Sequence, residues 1–104
     1  MLQYIRINEL YLVLTKAIKH YASTTVNVKA CSANAAKAAY GGIKYSMESI
    51  VKGFPEIRLE EYTENKDCKY FCLKRRIGIT TITVFQPDED NRIKIVINNN
   101  MFVY

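Results

Sequence analysis

Apolar positions recur every three to four residues in the first half of the chain and every second residue in the second half, a change of period from helix to sheet. Leu10, Val13, Leu14, Ala17, Ile18 and Tyr21 form one helical stripe, with Thr15, Lys16 and Lys19 on the other side. Asn8 is the expected N-cap of this helix, with Glu9 in its first turn. Residues 2–7 fit either an extension of the helix or a short strand. From Ser23 to Lys29 the period breaks and β-branched residues accumulate, which predicts a connector with an edge strand at Val26 and Val28.

A second helix is predicted from Ser32 or Asn34 to about Lys52, stopped by Gly53 and Pro55. Its apolar face is Tyr40, Ile43, Met47, Ile50 and Phe54. Ala35, Ala38, Ala39, Gly42 and Ser46 make a stripe of small residues against which another helix, most simply the first, can pack closely. Two adjacent glycines, Gly41 and Gly42, cost roughly 1 kcal/mol each relative to alanine and predict a bend or break.

From Glu56 the pattern alternates. Ile57 and Leu59 run up to a turn at residues 64–67, and Cys68 to Arg75 returns with Phe71 and Leu73 on one face and Tyr70 and Cys72 on the other. Ile79 to Phe85 follows, then the loop Gln86–Asn91, then Arg92 to Asn98 with Ile93, Ile95 and Ile97 inward. The apolar segment 101–104 is expected to pack on the domain or on a second copy. The predicted fold is α+β: one domain over 1–104, mainly helical over 1–55 and antiparallel β over 56–104. Two N-terminal helices should pack on one face of a roughly four-stranded meander.

Composition adds bounds. A chain of 104 residues, about half apolar, has the size of a single domain with its own core. Abundant Asn, Lys, Ile and Tyr without Trp suggest an AT-rich genome. The N-terminal residues lack a signal-peptide pattern, and the apolar run Leu10–Leu14 is far short of the ~20 residues a bilayer span needs. Cys31, Cys68 and Cys72 are therefore expected as reduced thiols in a cytoplasm, the host's if the protein is viral.

The formal net charge is +5. Residues 1–55 hold seven Lys and Arg against Glu9 and Glu48, whereas residues 56–104 hold eight of each sign. Placed this way, the excess belongs to the helices. It nominates Lys16, Lys19, Lys37, Lys44 and Lys52 as a basic helix face for an acidic protein surface or a nucleic acid. Lysine is also the ordinary solubilising residue of a helix surface. A second candidate is the strand-end set Lys69, Tyr70, Lys74, Arg75 and Arg76, where cations beside an aromatic could hold phosphates and stack a base.

Catalytic and metal chemistry find little purchase. Cys68 and Cys72 on one strand would lie some ~13 Å apart at ~3.3 Å per residue, too far to share a zinc ion. His20 has no partner near it in sequence, and phosphate-loop motifs are missing. No metal and no cofactor are expected. The run from Cys68 to Arg76, followed by residues 79–85 and 92–97 after two helices, resembles RelE/ParE-type toxins. That resemblance implies an mRNA-cleaving role, with Tyr70, Lys74, Arg75 and Arg76 holding phosphate and stabilising charge. Because the charge excess lies on the helices, the first expectation is a non-catalytic binding or inhibitor-type module. By class analogy this is a phage or mobile-element accessory protein acting on a defence or nucleic-acid-handling complex. Non-specific nucleic-acid binding is the third reading. A homodimer is expected, because edge strands and the apolar tail need covering.

Overall fold

The computed structural model describes residues 3–102, and it is an α+β fold in which helices cover one face of a largely antiparallel sheet. Strand β1 (Gln3–Arg6) leads through a short 3-10 turn (Ile7–Glu9) into helix α1 (Leu10–Lys19). Strand β2 (Thr24–Lys29) follows, then helices α2 (Ala33–Gly41) and α3 (Ile43–Lys52). The meander is β3 (Arg58–Glu64), β4 (Cys68–Arg75), β5 (Gly78–Phe85) and β6 (Arg92–Met101).

The sheet has six strands rather than four, in the order β1-β2-β6-β5-β4-β3. β1 pairs parallel with β2, and every other junction is antiparallel. The predicted connector is thus an interior strand. Val26 and Val28 are fully buried because β2 sits between β1 and β6, a neighbour about seventy residues away that no local pattern reveals.

Local chemistry explains most element ends. Ser32 caps α2, its Oγ accepting from the Ala35 N–H at 3.1 Å. The predicted single second helix is two helices, because the chain turns at Gly42. Asn8 does not cap α1. Since β1 continues to Arg6, the chain must turn within Ile7–Glu9, and Asn8 falls inside that turn. Tyr21 leaves the predicted stripe. It adopts a left-handed conformation (φ 54°) that ends α1 and sends the chain back into β2.

The core forms where α1 and α3 meet the sheet: Leu14, Ile18, Ile43, Met47 and Ile50 against Phe71, Leu73, Ile82, Ile95 and Ile97. Register in β3 is corrected by a bulge. Leu59 faces Leu73 but Glu61 faces Cys72, so Glu60 is the extra residue. Without it, alternation from Leu59 would turn Glu61 into the core. With it, Tyr62 packs there instead, its ring 5.0 Å from that of Phe71. At the β4–β5 turn the backbones close up so far that a Cβ on Gly78 would lie 2.6 Å from the Asn100 carbonyl oxygen. Met101 completes β6 opposite Gly78, and the Phe102 N–H donates to the Ile77 carbonyl at 2.7 Å. The rest of the apolar tail, 103–104, lies outside the described residues.

Two cations fix the helices to β4. The inward positions of this strand read Lys69, Phe71, Leu73, Arg75, and all four are buried. Arg75, 6% exposed, donates to the Ile18 carbonyl of α1 at 2.7 Å and to Thr80 Oγ1 at 2.6 Å, and reaches Asn99 Oδ1 at 3.3 Å. Its guanidinium lies 4.1 Å from the Tyr21 ring centroid. Lys69, 5% exposed, donates to the Tyr40 carbonyl of α2 at 3.0 Å, sits 4.6 Å from the Tyr40 ring, and lies 3.7 Å from Glu64. Each cation meets the carbonyl end of a helix, where the dipole favours positive charge. Asn99 extends the Arg75 network to the Ala22 carbonyl and the Ser23 hydroxyl, which ties down the α1–β2 connection.

Arg75→Met is expected to cost about 2–4 kcal/mol, since it strands the Ile18 carbonyl and the Thr80–Asn99 pair inside the protein. Arg75→Lys should recover little of this, because one ammonium cannot span the fork. Urea unfolding measures both, and a loss below ~1 kcal/mol for the methionine variant would refute the clamp. A second expectation concerns alkaline pH. Burial, reinforced by the bond donated to Glu64, pushes the Tyr62 phenol from 10.0 up to about 12. The unfolded chain ionises first, so stability should fall as pH rises through 10 toward 12, and Tyr62→Phe should flatten that decline in pH-dependent urea titrations.

Candidate functional site

The helices cover only one side of the sheet. The opposite face is built from the alternate positions of each strand, and pairing places them in rows. Thr63, Tyr70, Thr83, Val96 and Thr25 form a central row, flanked by Glu61, Cys72, Thr81 and Asn98 on one side. On the other side Cys68 pairs with Phe85, and Lys94 with Asn27; the Lys94 ammonium lies 5.7 Å from the Phe85 ring centroid. Tyr70 and Phe85 are therefore diagonal neighbours near the middle of an open surface, within reach of one another's ligands.

Cations occupy the two ends of this face. Arg58 pairs with Lys74 at one end, and at the other Arg6, Lys29 and Arg92 fall in a single cross-strand row. Like charges placed directly opposite one another are destabilising. The row is relieved on one flank, where Arg92 pairs with Asp90 at 3.3 Å. Counting Lys94, six basic side chains share the face, against Glu61 as the carboxylate that register places among them. The corners lie about 25–30 Å apart, from eight residues along β6 at ~3.3 Å each and three strand spacings of ~4.8 Å.

The residues nominated from sequence divide among surfaces. Tyr70 and Lys74 face the open side, Arg76 sits in the β4–β5 turn, and Lys69 and Arg75 are buried on the helix side. β4 is flanked by β3 and β5, so this set is not at a sheet edge. Among the helix lysines, Lys44 lies 4.5 Å over the Tyr62 ring and Lys37 lines a cleft against the loop bearing Pro87 and Asp88. Lys16, Lys19 and Lys52 are exposed, near the last turns of α1 and α3. Those helices also present Leu12, Tyr11 and Tyr45, the last 78% exposed. Sequence reading did not nominate Arg6, Lys29, Arg58, Arg92, Lys94 and Phe85 as site residues. Alternation marks Arg58, Arg92 and Lys94 as outward, but that Arg6 and Lys29 join Arg92 and Lys94 on one face becomes readable only when the pairing of β2 with β1 and β6 is known.

His20 closes α1 on the covered side, whereas Cys68 and Cys72 face the open side and Cys31 follows the far end of β2. Burial pushes the Cys72 thiol up, which favours the inert protonated form. Among the described residues no three His, Cys, Asp or Glu side chains gather as metal ligands, and no helix is long and apolar enough to cross a membrane. At the end of the face nearest Arg58 and Lys74 lies a cleft of about 240 Å³, lined by Glu56, Arg58, Glu60, Lys74, Arg75 and Arg76. No family model, curated protein or solved structure matches the chain.

Proposed function

We propose that this chain is a non-catalytic binding module that holds single-stranded nucleic acid on the uncovered face of its sheet. The observation that carries this reading is the set of five outward cations at two corners of the face, with Tyr70, Phe85 and Lys94 between them. Cations at the ends suit a backbone that crosses the face, and aromatic rings in the middle suit bases turned toward the sheet. Stacking contributes ~1–3 kcal/mol per base and tolerates any sequence. A duplex buries its base faces, so the aromatic centre favours an unpaired strand. The ~25–30 Å between corners suits a short segment, at the low end of the ~4–16 nucleotides typical of single-strand binding folds.

A second reading rests on the helix side. Exposed Leu12, Tyr11 and Tyr45, rimmed by Lys16 and Lys52, have the composition of a protein-docking surface for an acidic partner. That would suit an inhibitor-type accessory protein of a phage or mobile element. Nuclease-treated pull-downs from the native host distinguish it: a host protein retained by the wild type and released by Tyr45→Glu supports this second reading, and identical eluates count against it.

Fluorescence anisotropy with labelled single-stranded and duplex oligonucleotides tests the first reading. The single strand should bind more tightly, with a log–log salt slope near −0.7 per neutralised phosphate. Lys29→Ala and Lys94→Ala should each make that slope shallower by about 0.7. Tyr70→Ala with Phe85→Ala should weaken binding by roughly 30-fold or more with the slope unchanged. A salt-independent signal, or a preference for duplex, would remove the proposal.

A further inference from the structure

We infer that the cleft lined by Glu56, Arg58, Glu60, Lys74, Arg75 and Arg76 is a subsite for a phosphate monoester, the terminal phosphate of a strand lying on the open face. It rests on the reading above and specifies where such a strand ends.

Position comes first. Arg58 and Lys74 are the cross-strand pair that closes one corner of the face, and both also line the cleft, so the cleft continues the basic track. Glu56 and Glu60 also line it. A strand passing through would carry further phosphates against those carboxylates, whereas a strand that stops there sets a single phosphate against a lining in which cations outnumber carboxylates. The carboxylates therefore act as a terminus.

Charge points the same way. Four cations and two carboxylates leave two positive charges in the cleft. A phosphodiester carries one negative charge, but a monoester near neutral pH carries about −1.5 to −2 and presents three acceptor oxygens. The monoester is the better match in charge and in hydrogen-bonding capacity.

The cleft also contains a built donor. Arg75 is 6% exposed, and its Nη atoms are directed at Ile18, Thr80 and Asn99, none of which lines the cleft. Arg75 itself lines the cleft. Nε is a buried donor that has no hydrogen-bond partner. A buried N–H held in place by three other bonds on the same fork is pre-oriented for an anion, and such an orphan is costly until something accepts from it. A phosphate oxygen in the cleft would supply that acceptor. The volume of about 240 Å³ admits a phosphate with part of its sugar.

The experiment compares one oligonucleotide in three forms, 5′-phosphorylated, 3′-phosphorylated and hydroxyl at both ends, by anisotropy against the whole chain. One phosphorylated form should bind on the order of tenfold more tightly than the hydroxyl form. Arg58→Ala with Lys74→Ala should bring that ratio close to one, with thermal melting confirming that the variant is folded. Glu60→Gln should enlarge the ratio, and millimolar inorganic phosphate should erase it, tracing the preference to the phosphate group rather than to the oligonucleotide end. Equal affinity for all three forms would overturn the subsite while leaving the open-face reading intact. No binding of any form would overturn both, and a ratio that survives the double variant would place the phosphate elsewhere on the protein.

Discussion

Arg75 and Lys69 are buried with their charges answered mainly by backbone carbonyls at helix ends rather than by close carboxylates. The arrangement follows from one strand. β4 presents cation, aromatic, aliphatic and cation to the interior, so its centre supplies core and its two ends supply donors. A helix C-terminus needs donors for its last carbonyls and favours positive charge, and a strand lying under it can provide both. α1 and α2 are thereby pinned at their ends as well as by their apolar stripes. Each charge is also covered by a tyrosine ring, Tyr21 over Arg75 and Tyr40 over Lys69. Position along α1, the course of the Tyr21 turn and the start of β2 all depend on the Arg75 network.

Much of the architecture was legible from period and punctuation. The inward faces of α1 and α3, Phe71 and Leu73 of β4 and the isoleucines of β6 are those the spacing marks, and the stop at Gly53 and the discontinuity at Gly42 lie where glycine was expected to act. Three features were hidden. β2 shows its burial only through a partner far along the chain, the Glu60 bulge shifts the alternation within β3 so that Tyr62 rather than Glu61 turns inward, and Tyr21 leaves the helical stripe by adopting a left-handed turn. Each depends on tertiary pairing rather than on local preference.

The candidate site was less legible for a related reason. The run from Lys69 to Arg76 reads in one dimension as a cluster, but alternation deals successive residues to opposite sides of the sheet. Lys69 and Arg75 go inward to hold helices, whereas Lys74 goes outward. Conversely, the electrically balanced second half of the chain is not balanced in space. Asp67, Asp88, Glu89 and Asp90 lie in turns, and the outward strand positions retain the cations, joined there by Arg6 and Lys29 from the first half. Charge bookkeeping by sequence segment cannot anticipate such sorting, since faces of a sheet are assembled from residues that are distant along the chain.

The strand order has a kinetic corollary. β3 to β6 form a succession of adjacent hairpins, whose contacts close small loops, whereas β2 must wait for β6: Thr24 pairs with Ile97 and Lys29 with Arg92. During synthesis the segment bearing β1, α1 and β2 emerges first yet lacks the neighbour that completes its hydrogen bonding, and α1 lacks the guanidinium that secures its end. Folding of the leading segment is consequently deferred until the trailing strand exists, which places this domain among those whose long-range closures, rather than their helices, set the pace.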